Sequence, residues 1–148
     1  MKLYEITNPL SPSQLKWLED MKIENWKYED GVVNVKGDVD ISHKKLTKIP
    51  VQFGYVSGNF HYNYNQLTSL SGAPIEVGQD FDCSYNELQS LKYSPKEVGN
   101  HFDCRSNHLE DLKGAPKEVG GDVRCSSNKF KTKPNHSFIK IGGKCYWK

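Results

Sequence analysis

The sequence predicts a solenoid of short, stacked parallel strands, and three observations carry that prediction. A 21-residue unit recurs without insertion, apolar residues alternate with period two inside it, and an asparagine follows at one fixed place. Residues 80–91 overlay residues 101–112 with every apolar position coinciding. The same shift carries Val35 to Val56, Val77, Val98 and Val119. It also carries Val39 to Phe60, Phe81, Phe102 and Val123, and Leu46 to Leu67, Leu88, Leu109 and Phe130. Asn65, Asn86, Asn107 and Asn128 form a further column, as do Pro74, Pro95 and Pro116. Several columns in one register identify a repeat, which determines the whole architecture.

Within a unit, Phe81 and Cys83 alternate with Asp80, Asp82 and Ser84, the signature of a strand with one buried face. The amide of the following asparagine can both donate and accept where the chain turns inward, so stacked units predict an asparagine ladder. The pattern Phe-x-Cys-x-x-Asn-x-Leu-x-x-Leu fits a leucine-rich-repeat solenoid, mostly β, spanning residues 37–133. The return segment after Leu91 is short and rich in Pro and Gly. It excludes a helix and predicts an extended or polyproline-like convex side. No unit can bury its apolar residues alone, so stability comes from stacking and both ends require caps.

Residues 1–36 are expected to form the N-terminal cap. Ser11-Pro12-Ser13-Gln14 reads as a helix start, with Leu15, Leu18 and Met21 making an apolar face beside Trp17, over about residues 12–22. Alternating bulky residues around Asp30-Gly31 predict a hairpin over about residues 25–36. Residues 134–148 are expected to form a last, degenerate strand and a basic end, since residues 141–147 echo residues 119–125 with Trp147 at the cysteine position.

Charge is modest overall, +2, but uneven: from Lys129 onward there are six lysines and no acid. That leaves 14 Lys and Arg against 18 Asp and Glu in the rest. Met1 to Leu10 show no apolar stretch of a secretion signal, and no run approaches membrane-spanning length, so a cytoplasmic protein without membrane contact is expected. Cys83, Cys104 and Cys125 lie 21 apart on the inward face without Cys-x-x-Cys spacing. They read as buried core thiols rather than metal ligands.

The segments Gly-Ala-Pro-Lys-Glu-Val-Gly-Gly (114–121) and Phe-Asp-Cys-Ser-Tyr-Asn (81–86) resemble a family of short leucine-rich-repeat proteins common in bacteriophages. Residues 38–42 and 46–50 share the likeness, which covers roughly residues 28–132. The resemblance implies a phage-type protein acting in the cytoplasm of a bacterial host cell, and it implies no established activity. More distantly, the repeats resemble those of bacterial effectors. Some of these carry a ubiquitin-ligase domain, for which 148 residues leave no room.

The outward strand positions are the candidate site. One column reads Asp38, Asn59, Asp80, His101, Asp122; the next Asp40, His61, Asp82, Asp103, Arg124; the third Ser42, Asn63, Ser84, Arg105, Ser126. Beside them run His43, Tyr64, Tyr85, Ser106 and Ser127. This predicts a polar, largely acidic concave face, aromatic toward one edge and with arginines toward its C-terminal rungs. The residues expected to meet a partner protein are Asp40, His61, Tyr64, Asp80, Asp82, Tyr85, His101, Asp103, Arg105 and Arg124, because aromatic and arginine residues dominate interface energetics. The plainer reading is a duplicated, solvated strand surface. A divalent metal gathered by Asp80, Asp82, His61 and His101 is the weaker reading, since flat strand faces rarely converge on one ion, and no metal or cofactor is expected.

No nucleophile motif, phosphate loop or His-Glu-x-x-His sequence occurs, so a non-enzymatic protein-binding role is expected, one that modulates or inhibits a host protein. The alternatives are nucleic-acid binding through Lys129, Lys131, Lys133 and Lys140, opposed by the acidic face, or a structural role in the virion. The paired Lys96-Glu97 and Lys117-Glu118 of the return segments carry no assigned function.

Overall fold

A computed structural model describes residues 9–148. The reading of Met1 to Leu10 lies, through residue 8, outside the described residues. Helix α1 (Pro12–Asp20) begins where the capping signals stand. Ser11 Oγ accepts the Gln14 backbone N–H at 3.2 Å, and Gln14 Oε1 accepts the Ser11 N–H at 2.8 Å. Leu18 is buried and Trp17 lies 6.3 Å from Phe53, ring to ring, while Gln14 Nε2 donates to the Pro50 carbonyl at 2.8 Å. Leu15, expected on the apolar face, is 45% exposed. The helix docks through positions 14, 17, 18 and 21, one stripe at helical spacing, and Leu15 falls outside it.

Strands β1 (Trp26–Glu29) and β2 (Val32–Val35) form the expected antiparallel hairpin. Asp30 and Gly31 both have positive φ, 50° and 82°, as a tight twist-matched turn requires. Thereafter the chain alternates between two sheets. The six-stranded sheet holds β3 (Val39–Asp40), β5 (Phe60–His61), β7 (Phe81–Asp82), β9 (Phe102–Asp103), β11 (Val123–Arg124) and β13 (Cys145–Tyr146). The seven-stranded sheet adds to the hairpin β4 (Phe53–Val56), β6 (Glu76–Val77), β8 (Glu97–Val98), β10 (Glu118–Val119) and β12 (Lys140–Ile141). Every inter-unit pairing is parallel, and the central rungs keep the repeat register, for example Phe60 with Phe81 and Phe81 with Phe102, while β2 against β4 shifts by one residue between Val33 and Val35. The molecule is therefore the repeat solenoid that the sequence predicts. The return side is extended, as expected, and regular enough to build its own ladder.

The core lies between the sheets. Phe60, Phe81 and Phe102 stack at 5.9 and 5.6 Å, and Tyr62 meets Phe60 and Phe81 edge-on. Cys83, Cys104 and Cys125 are fully buried and free. Burial pushes the Cys83 and Cys104 thiols well above their ordinary range and raises Cys125 likewise.

The asparagine column does what its position predicts. Asn107 Nδ2 donates to the carbonyls of Cys83, Cys104 and Arg105 at 3.1–3.2 Å, and its Oδ1 accepts the Leu88 N–H at 3.0 Å. Asn86 and Asn128 repeat the set one unit away. The Val-Gly corners have a steric cause: a Cβ at Gly78, Gly99, Gly120 or Gly142 would strike the carbonyl oxygen of the rung before it. The final rung pairs Val119 with Ile141 and Val123 with Cys145, one residue longer than the repeat, and Trp147 packs half-buried on the core.

Candidate binding surface on the six-stranded sheet

The outward residues of the six-stranded sheet divide into four columns with different duties. The first, Asp38, Asn59, Asp80, His101 and Asp122, is a backbone ladder. Asp38 Oδ1 accepts the Asn59 N–H at 2.7 Å, Asn59 Oδ1 the Asp80 N–H at 2.9 Å, and Asp80 Oδ1 the His101 N–H at 2.9 Å. His101 Nδ1 accepts the Asp122 N–H at 2.9 Å, and Asp122 Oδ1 the Lys144 N–H at 3.0 Å. These residues share one property, a side-chain acceptor at the same reach, which explains why Asp, Asn and His interchange there. Accepting at Nδ1 sets His101 as the Nε2–H tautomer. Asp80 and His101, expected among partner-binding residues, are half-buried, and Asp80 Oδ1 and His101 Nδ1 each hold a backbone N–H of the next rung. Sequence alternation could not separate this column from its neighbour, because both point outward.

The second column reads Asp40, His61, Asp82, Asp103 and Arg124, in direct register across the rungs. Asp40 and Asp82 each accept the backbone N–H and the hydroxyl of the serine two residues on, Ser42 and Ser84, with the hydroxyls at 2.6 Å. Their acidities diverge all the same. The Ser42 hydroxyl bond holds exposed Asp40 below the usual carboxylate range, outweighing a smaller desolvation. Burial raises Asp82 above its ordinary value, against its Ser84 bonds and with Asp103 adding repulsion. Asp103 is only 5% exposed, so it is not the open carboxylate that the sequence suggested. Arg105 stands where the other units have Ser or Asn, and its Nε and Nη2 grip Asp103 at 3.0 and 2.7 Å. That pair offsets the acidic stack. Arg124 is looser, its Nη2 lying 3.8 Å from Asp122 Oδ2.

The fourth column is an exposed aromatic feature of this sheet. His43, Tyr64 and Tyr85 stack face to face, with centroids 4.5 and 4.3 Å apart and planes within 12°. Tyr64 and Tyr85 are 45% and 42% exposed. All three residues, and Ser106 and Ser127 after them, sit at φ of 53–57°. That left-handed conformation is costly for side chains with a Cβ. The N–H groups of His43, Tyr64, Tyr85 and Ser106 each donate to the next rung, Tyr85 to the Arg105 carbonyl at 2.9 Å and Ser106 to that of Ser126 at 3.0 Å. Toward the C-terminal rungs, Arg105, Asp122, Arg124, Ser126 and Tyr146 line a shallow depression of about 250 Å³.

Among the described residues, no three His, Cys, Asp or Glu side chains converge as a metal site would require, and no helix is long and apolar enough to cross a membrane. The lysines of the basic end do not share one surface. Lys129 follows the six-stranded sheet, bonding through its N–H to the Leu109 carbonyl, while Lys131 and Lys133 lie exposed beyond it. Lys140 belongs to the seven-stranded sheet, 3.6 Å from Glu118.

That second sheet gathers Glu97 and Glu118, to which the sequence assigns no function, with further residues. Glu76, Glu97 and Glu118 stand in direct parallel register, with Tyr55 at one end and Lys140 at the other. A depression of about 800 Å³ beside the hairpin is lined by Trp26, Lys27, Glu29, Lys36 and Tyr55 among others. The 21-residue spacing of the three glutamates was the available signal. Compared with protein-family models, with curated proteins and with solved structures, the chain finds no match.

Proposed function

We propose that the protein is a non-enzymatic binding module that captures another protein on its six-stranded sheet. One observation carries this reading: two tyrosines and a histidine, each on a strained backbone, stand exposed as one stack beside strands bearing Asp82, Arg105 and Arg124. Stacked rings are already ordered, so a partner meets large amphipathic surface at low entropic cost. The likeness of the repeats to short bacteriophage leucine-rich-repeat proteins supports a setting in the cytoplasm of a bacterial host. There the captured protein would be a host component, such as a defence protein, that binding modulates or inhibits.

The test is capture of a defined partner from bacterial lysates, compared between the wild-type chain and Tyr64→Ser/Tyr85→Ser. Serine is the residue of Ser106 and Ser127 in this same column and conformation, so the double variant is expected to fold. Loss of the partner with the fold intact supports the reading. Equal recovery by both proteins refutes it.

A further inference from the structure

The aromatic stack stops at Tyr85, although the backbone that builds it continues. Ser106 has φ 53° against 55° for Tyr85, and its N–H makes the same bond to the following rung. Its Cβ therefore points as that of Tyr85 does, one rung further on, but it carries only a hydroxyl. Among the described residues, Tyr85 meets no ring besides Tyr64. The next position of the stack, over Ser106, therefore carries no ring of the described residues against Tyr85. Arg105, held in position by Asp103, forms its side, and the depression containing Arg124 and Tyr146 adjoins it.

Resting on the protein-binding reading above, we infer that this place is the anchor subsite, and that it takes an aromatic side chain of the partner lying next to a carboxylate. The ring continues the stack over Ser106, and the carboxylate meets Arg124, whose own acid lies 3.8 Å away and leaves its donors incompletely used. Charge decides between possible planar ligands. Asp82, Asp103 and Asp122 lie along the same strands, so a nucleic-acid backbone, with a charge at every nucleotide, is opposed. A single carboxylate beside a ring meets that repulsion once, and Arg124 offsets it.

The experiment is a titration of the isotopically labelled full chain with acetyl-Trp-Glu-amide, followed by amide shifts. Acetyl-Leu-Glu-amide, acetyl-Trp-Lys-amide and adenosine monophosphate serve as comparison ligands. The expected result is saturable shifts centred on Tyr85, Arg105 and Ser106, with the leucine peptide weaker by about three- to tenfold, the range of one stacking contact, and the lysine peptide, which lacks the carboxylate, also weaker. Ser106→Tyr fills the place from within and should abolish these shifts, its new ring producing upfield shifts on Tyr85. If that variant fails to fold, Tyr85→Ser replaces it, with loss of binding expected. Tighter binding of the nucleotide at these residues overturns the assignment, as does wild-type peptide binding by the filled variant. A captured protein partner that survives Ser106→Tyr but is lost in Tyr64→Ser/Tyr85→Ser removes the subsite and leaves the binding reading standing. Peptide binding at Ser106 by a chain that captures no protein does the reverse.

Discussion

Asp40 and Asp82 hold equivalent positions two rungs apart and make the same serine bonds, yet they affect stability in opposite directions. Asp40 is held below the usual carboxylate range by Ser42, so its contribution is present at neutral pH and lost as pH falls through its lowered range. Asp82, raised chiefly by burial, binds its proton more tightly folded than unfolded, so it costs stability at neutral pH and ceases to as the medium becomes acidic. Asp82→Asn keeps an oxygen acceptor for Ser84 and should raise the urea midpoint at pH 7, the gain shrinking toward zero in acid. Asp40→Asn should lower the midpoint at pH 7 and match wild type once Asp40 is protonated. Equal signs for the two would contradict this account. The Tyr62 hydroxyl is a second case of local cost, fully buried without a hydrogen-bond partner. Removing it in Tyr62→Phe should stabilise the fold by about 1 kcal/mol, measured by the same denaturation. A loss of stability instead would mean that the hydroxyl is satisfied.

At the scale of the strand and its corner, side-chain acceptors finish what two-residue strands cannot. Such strands supply few backbone bonds each, and the columns headed by Asp38 and Asn65 add bonds from rung to rung. The two columns differ in tolerance. The first needs one acceptor, so His101→Asn, which copies Asn59, should leave stability within about 0.5 kcal/mol of wild type. His101→Leu strands the Asp122 N–H and should cost roughly 1–3 kcal/mol. The second needs acceptor and donors together. Asn107→Ala strands the Leu88 N–H and takes one of two donors from each of three carbonyls, and should cost roughly 1–3 kcal/mol by denaturant titration. An unchanged midpoint in that variant would show that solvent replaces the amide without penalty.

Across the whole molecule, the caps set access to the core. Cys83, Cys104 and Cys125 lie inside the stack, whereas Cys145, in the last rung, is half-exposed with its sulfur 4.0 Å from that of Cys125. Burial raises all four thiols, Cys145 over the least buried surface. A thiol reagent is expected to label Cys145 first in the native protein and the other three at the rate of unfolding, with Cys125 released earliest as the C-terminal rung frays. Mass mapping of labelled peptides against time checks that order, and early labelling of Cys83 or Cys104 would contradict a closed stack.

The repeat register by itself determined the solenoid, the inward Phe and Cys columns and the asparagine ladder, and the alternation around Asp30-Gly31 determined the hairpin. Each depends on which residues face inward or turn, and period and spacing encode that directly. Which outward side chains also bond within the fold was decided by the tertiary structure. Asp80 and His101, half-exposed, also accept backbone N–H groups from the neighbouring rung. Asp103 looked like an exposed acid, but Arg105 folds back over it. The tyrosines were visible as a column, whereas their stacking, and the unfilled place beyond Tyr85, depend on a left-handed φ repeated at every rung. Period two tells which face of the sheet a residue occupies. Only the distance between rungs tells whether its polar atoms meet solvent or the fold.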